Sequence, residues 1–240
     1  MVLGVFAGII INICTDIFMS EKRVVRGNIY CMTCERKQVW YEFIPFFLRL
    51  GLECKCKACK MKRKLQYPLV EISNGLLWLL VIIRYGITID TLLGCLFTSA
   101  LLTLSVIDAK TKEIPFKINV FIGAIALINM CFDYHNIINY VLGMVVIAGL
   151  LFLLFMISGG GAIGGGDVKL MAAAGLYLGL PRTCLAFFLA CILGSIIHII
   201  RMKFFGAGKE LAMGPYLAAG LYISFLYGGW IIESYPKMFL

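Results

Sequence analysis

Charge is what this chain has least of. Of its 240 residues only 15% are Asp, Glu, Lys or Arg, while 61% are hydrophobic, and the mean hydropathy is +0.94. A soluble domain carries about 25% charge, so a water-soluble globule is excluded. The same composition excludes disorder, a collagen-like chain and a secreted disulfide scaffold. Histidine is nearly missing, with two residues in all. His135 is expected outside the membrane and His198 stands in an apolar run, where a packing role is expected, so no His-based nucleophile arrangement is supported. A Gly-Lys-Ser/Thr phosphate loop is also lacking.

What is present is a series of long apolar runs. A hydrocarbon core about 30 Å thick needs about 20 apolar residues per helix. Setting aside the polar stretch 20–67, the rest of the chain has room for about eight spans. They are read at 2–19, 68–83, 89–107, 117–132, 137–157, 168–180, 183–200 and 211–232. None shows a polar face, as suits helices that must satisfy their own backbone in lipid. The expectation is an all-α polytopic membrane protein. Its parts are a first transmembrane helix (1–19), a cytoplasmic cysteine loop (20–67) and a membrane domain (68–240). The first run is read as a retained helix rather than a cleaved signal, since no basic residue precedes it and no small-residue cleavage site closes it. Its Gly4-x-x-x-Gly8 reads as close helix packing.

Basic residues set the orientation. Of 22 Lys and Arg, 12 lie in residues 20–67, and seven more fall in connections on the same side. Only Arg84, Arg182 and Lys237 fall on the other side. Positive charge stays in the cytoplasm, so the loop is expected inside and both termini outside. The net charge of +9 then reflects topology and attraction to an anionic bilayer. No basic groove with interleaved aromatics points to nucleic acid.

Half of the ten cysteines sit in that loop: Cys31, Cys34, Cys54, Cys56 and Cys59. Cys31-Met-Thr-Cys34 and Cys56-Lys-Ala-Cys59 are two CxxC units separated by 21 residues. Two such turns can aim four thiolates at one tetrahedral metal, and a cytoplasmic loop disfavours disulfides. A structural zinc on Cys31, Cys34, Cys56 and Cys59 is the favoured reading over disulfides or a dithiol redox pair. Cys54 stands beside the second pair as a competing ligand. Cys14, Cys95, Cys131, Cys184 and Cys191 are read as packing residues in or at the ends of spans.

Acids at membrane depth are costly and mark function by default. Asp108 ends the third run, and Asp167 opens the sixth directly after Gly164-Gly165-Gly166. Both are expected at the cytoplasmic boundary, 59 positions apart in the chain. Two neighbouring carboxyls cannot both ionise easily, so one member can activate a water while the other donates a proton. From the residues alone, catalysis, ion transfer and pairing with Lys112 and Lys169 stand level. The glycine run 159–166 formally matches GxGxxG but follows a membrane span and lacks the acid a dinucleotide site needs. It is read either as backbone open to a peptide strand or as a plain hinge.

Taken in order, these motifs resemble the type IV prepilin peptidases, membrane aspartyl proteases with a GxGD motif. The resemblance runs through Gly8-Ile-Ile-Ile-Asn12, the two CxxC units, Trp40-Tyr-Glu-Phe-Ile-Pro45 and Tyr67-Pro-Leu-Val-Glu71. It continues through Asp108, Ile114-Pro115, Gly164-x-Gly166-Asp167-Val-Lys-Leu170 and Gly214-Pro-Tyr-Leu-Ala218. The departures are Thr15-Asp16-Ile17, where relatives carry a Tyr-Arg pair, and the extra Cys54. The resemblance implies a multi-pass protein of the bacterial inner membrane that removes the leader of prepilins and pseudopilins. Asp108 and Asp167 would be catalytic, and Gly164, Gly166 and Lys169 would contact substrate. Glu71 would take part in binding the substrate amine. The resemblance also implies N-methylation of the new terminus with S-adenosylmethionine. A peptidase without methylation and an ion-coupled transporter are the alternatives. The transporter is disfavoured because the glycine-rich break has no counterpart in the first half.

Overall fold

The computed structural model describes residues 1–19, 66–159, 163–205 and 212–239. All regular elements among them are helical: α1 (Val2–Met19), α2 (Gln66–Tyr85), α3 (Ile89–Thr111), α4 (Phe116–Phe132), α5 (Ile137–Ile157), α6 (Gly165–Leu178), α7 (Leu180–Phe205) and α8 (Gly214–Phe239). Each expected apolar run therefore corresponds to a helix. Five helical stretches are long and apolar enough to cross a membrane, namely Gln66–Tyr85, Ile89–Thr111, Tyr134–Ile157, Leu180–Phe204 and Gly214–Ser234. Helices α1 and α4 are apolar but shorter. Helix α6 has 14 residues, which at 1.5 Å per residue spans only about 21 Å.

The chain divides into two compact units, Met1–Gly86 and Ile87–Leu240. In the first, α1 packs along α2. Residues four apart on α1 (Gly4, Gly8, Asn12 and Asp16) make one stripe, as i, i+4 spacing dictates. A Cβ on Gly4 would stand 3.0 Å from Gly75 Cα, and one on Gly8 only 2.6 Å from Glu71 Cα. The small-residue reading of Gly4 and Gly8 is borne out by these approaches. Further along, Asn12 Nδ2 donates to the Tyr67 carbonyl at 3.1 Å and to Glu71 Oε1 at 3.4 Å, and Tyr67 Oη donates to Asp16 Oδ2 at 2.7 Å. Asn74 Nδ2 donates to the Gly4 carbonyl at 2.7 Å. These bonds pair polar groups that lipid would leave unsatisfied.

In the second unit, α6 lies among α4, α5, α7 and α8. Asp167, Leu170, Met171, Ala174, Gly175, Tyr177 and Leu178 of α6 are buried, so half of this short helix faces protein. Gly143 of α5 and Gly175 of α6 meet backbone to backbone. Helix α6 ends at Gly179, whose φ of +77° suits a residue without Cβ. Asn139 Oδ1 then accepts the Leu180 amide at 3.1 Å, tying the turn into α7 to α5.

One expectation about cysteine is corrected. Cys95 is buried, but Cys14, Cys131, Cys184 and Cys191 are exposed on their helices. Burial is set by which face of an apolar helix meets protein, and an apolar run bathed in lipid carries no periodicity to reveal that face. Cys31, Cys34, Cys54, Cys56 and Cys59 lie outside the described residues.

Candidate active site

Asp108 continues the inward stripe of α3. Phe97, Leu101, Leu104 and Asp108 recur at helical spacing and are 0–4% exposed, so the carboxyl emerges where the core face reaches the end of the helix. The helix stops one turn later. Lys112 adopts φ 56° and its N–H bonds the Asp108 carbonyl at 2.8 Å, the left-handed capping geometry that ends a helix. Asp108 Oδ2 accepts the backbone N–H of Gly214, the first residue of α8, at 2.9 Å. First-turn amides have no partner within their own helix and form its positive end, so α8 supplies a fixed donor to a carboxylate. A Cβ at position 214 would lie 2.7 Å from that same oxygen, which requires glycine there.

Asp167 is the third residue of α6, after the N-cap Gly164 in extended conformation. Its N–H donates to the Gly164 carbonyl at 3.0 Å, and its carboxyl reaches back to the Gly164 backbone N–H. The acid thus supplies the N3 half of a capping box, while Gly164, without a side chain, contributes only its backbone. Asp167 is 8% exposed. Gly166 lies against the connection from α3 to α4: a Cβ there would stand 2.8 Å from Ile114 Cβ. Lys169 is exposed and holds its Nζ 5.4 Å from the centre of the Phe116 ring. The connection into α4 and the first residue of α4 therefore both lie near the N-terminal part of α6.

Asp108 and Asp167 are near enough to interact electrostatically. Each is buried and each faces the backbone amide of a helix start. Such a pair can share one proton, with one carboxylate accepting from a water and the other carboxyl donating to a carbonyl oxygen. Glu71 lies in the other unit, 5% exposed and bonded by Asn12. Gly214, which the sequence offered only as part of the Gly214-Pro-Tyr-Leu-Ala218 motif, is a member of the site through its contact with Asp108. Its Gly-Pro helix start was the available signal, since only a residue without a side chain permits so close an approach. His135 and His198 lie in the turn before α5 and on α7, not on the helices that carry the acids. Among the described residues no cluster of His, Cys, Asp and Glu could hold a metal ion.

Residues 95–199 match the type IV leader peptidase family, and residues 2–85 match the bacterial peptidase A24 N-terminal domain. The chain is 32% identical over 225 residues to the prepilin leader peptidase/N-methyltransferase of Bacillus subtilis (strain 168), covering 90% of this chain and 88% of that protein. It is 30% identical over 223 residues to the protein of the same name from Neisseria gonorrhoeae, covering 91% and 74%. To that of Pseudomonas aeruginosa it is 29% identical over 219 residues, covering 88% and 76%. No solved structure matches the chain.

Proposed function

The chain belongs to the type IV leader peptidase family, and from that premise we propose that Asp108 and Asp167 are the catalytic dyad of a prepilin leader peptidase. The observation that supports this assignment is the placing of two buried carboxyls at helix ends of one unit, Asp108 bonded by the Gly214 amide and Asp167 by the Gly164 amide. In the reaction the ionised member of the pair takes a proton from water as the oxygen attacks the scissile carbonyl. The protonated member donates its proton to the carbonyl oxygen. Collapse of the tetrahedral intermediate breaks the C–N bond, and the proton taken from water passes to the leaving amine. The shared proton belongs to the pair rather than to one residue.

The substrates are prepilins and pseudopilins. The backbone of Gly164 and Gly166 is read as the edge on which an extended leader lies, and Lys169 as a contact beside it. The protein is a multi-pass protein of a bacterial membrane. Its orientation, with loop and dyad at the cytoplasmic face and both termini outside, is supported by the division of basic residues. In this reading α1 and α4 join the five long helices as spans, and α6, short but held among other helices, counts as the eighth.

The matched names carry a second activity, N-methylation of the new terminus, which draws on S-adenosylmethionine. Glu71 is read as the acid that receives the substrate amine. Cys31, Cys34, Cys56 and Cys59 are read as ligands of one zinc. Four thiolates fill a tetrahedral site and leave no position for a reacting water, so the metal holds the loop and takes no part in hydrolysis.

Co-expression with a prepilin and mass spectrometry of the pilin N-terminus test this function. The expected product lacks its leader and carries one added methyl group. An intact leader would contradict the peptidase reading, and an unmodified mature amine would restrict the function to cleavage.

A further inference from the structure

Asn119 is a buried polar side chain that the dyad mechanism does not use. It is 4% exposed, and neither its Nδ2 nor its Oδ1 has a hydrogen-bond partner among the described residues. It sits on the inward face of α4 with Ile122, Ile125 and Ala126, all 0–2% exposed. A buried carboxamide without a partner is destabilising, and such a group in a folded protein calls for an explanation.

Its position supplies one. Ile114, in the connection just before α4, lies against Gly166 of α6, and Lys169 of α6 holds its Nζ 5.4 Å from the ring of Phe116, the first residue of α4. From Pro115, the N-cap of α4, four residues of helical rise place Asn119 about 6 Å further along the axis. That is within about one or two helical turns of the level of Asp167. Asn119 also follows Asp108 across a short connection between packed helices, α3 and α4. A carboxamide offers one acceptor and two donors, the complement of a main-chain peptide group with its N–H and C=O.

We propose that Asn119 is a substrate-binding residue whose carboxamide pairs with a main-chain peptide group of the prepilin beside the scissile bond. This rests on the peptidase reading above and adds to it a contact that recognises backbone, not side chain. The pairing forms as the leader enters along the first turns of α4 and α6. Among the described residues the amide has no partner, and a main-chain peptide group of the substrate would supply one.

Thr and Val at this position have nearly the same shape and differ by a hydroxyl for a methyl, so cavity effects cancel between Asn119→Thr and Asn119→Val. Thr keeps a donor and an acceptor, and Val has neither. Three measurements are made in detergent: thermal midpoint, kcat and KM for prepilin cleavage, and prepilin binding in the Asp108→Asn background, where the substrate is not turned over. The expected result is a kcat/KM for the Val variant at least tenfold below that of the Thr variant, with weaker binding and a thermal midpoint equal or higher. Equal cleavage by the two variants would overturn the proposal. So would a loss that follows a lowered midpoint, which would make Asn119 structural. A loss confined to kcat with binding unchanged would assign the amide to the attacking water and overturn it likewise. Failure of the unsubstituted protein to cleave prepilin would count against the peptidase reading itself.

Discussion

The backbone amide of Gly214 donates to Asp108 Oδ2 at 2.9 Å across 106 positions of sequence, and the space between them admits no side chain. The bond fixes the Asp108 carboxyl at the start of α8, where the unpaired amides of a helix favour negative charge.

Gly214→Ala is therefore expected to displace Asp108 without preventing insertion of the protein. A hydrogen bond to a charged group contributes about 1.5–3 kcal/mol, so prepilin cleavage should fall by roughly tenfold to a hundredfold. Cleavage by purified Gly214→Ala, compared with its yield in membranes, checks this. Full activity would show that the contact does not position the acid.

The second close approach, Gly166 against Ile114, is a packing constraint next to Asp167. A Cβ at 2.8 Å from another Cβ must push α6 away from the start of α4. Overpacking of this kind costs about 1–3 kcal/mol. Gly166→Ala should lower the thermal midpoint and reduce cleavage together, whereas Gly165→Ala, whose Cβ would meet the Phe155 ring at 3.8 Å, should do neither to the same degree. Comparing the melting curves of the two variants decides the point.

The helices were legible in the sequence because apolar runs of about 20 residues have few other uses. Helix α5 begins and ends where its run was read, at 137 and 157. Helix α6 starts three residues earlier than expected, at Gly165 rather than 168. Glycine lowers helix propensity, but Asp167 at the third position caps the helix and burial secures it. That α6 is too short to span alone was concealed, because apolarity does not distinguish a helix facing lipid from one facing protein. The same ambiguity hid the exposure of Cys14, Cys131, Cys184 and Cys191. Asp108 and Asp167 stood out because charge inside an apolar run is rare. The contact of Gly214 with Asp108 and the burial of Asn119 did not, since a long-range contact and an unpaired amide leave no periodic trace.

Zinc should co-purify with the protein and depend on both CxxC units. Cys31→Ser is expected to lose metal and loosen the loop while leaving the dyad chemistry measurable, because a closed four-thiolate site contributes to folding and offers no reacting water. Metal analysis of the purified protein and of this variant provides the check. A metal-free loop that stays folded would contradict the assignment, and zinc retained in Cys56→Ser would point to Cys54.

Reporter fusions within residues 20–67 and at the C-terminus should give opposite signals, cytoplasmic for the loop and external for the terminus. The division of basic residues strongly favours one insertion. Like signals from the two fusions would remove the common cytoplasmic placement of the dyad.

Asp108 and Asp167 are proposed to perform one step together. Asparagine preserves size and hydrogen bonding but cannot exchange the proton, so the decisive measurement is prepilin cleavage by purified Asp108→Asn, Asp167→Asn and the double variant. Each single substitution should abolish cleavage, and the double should lose no more than either alone, as expected for groups that act as a unit. Membrane insertion and metal content should be unchanged. Substantial cleavage by either single variant would contradict the account.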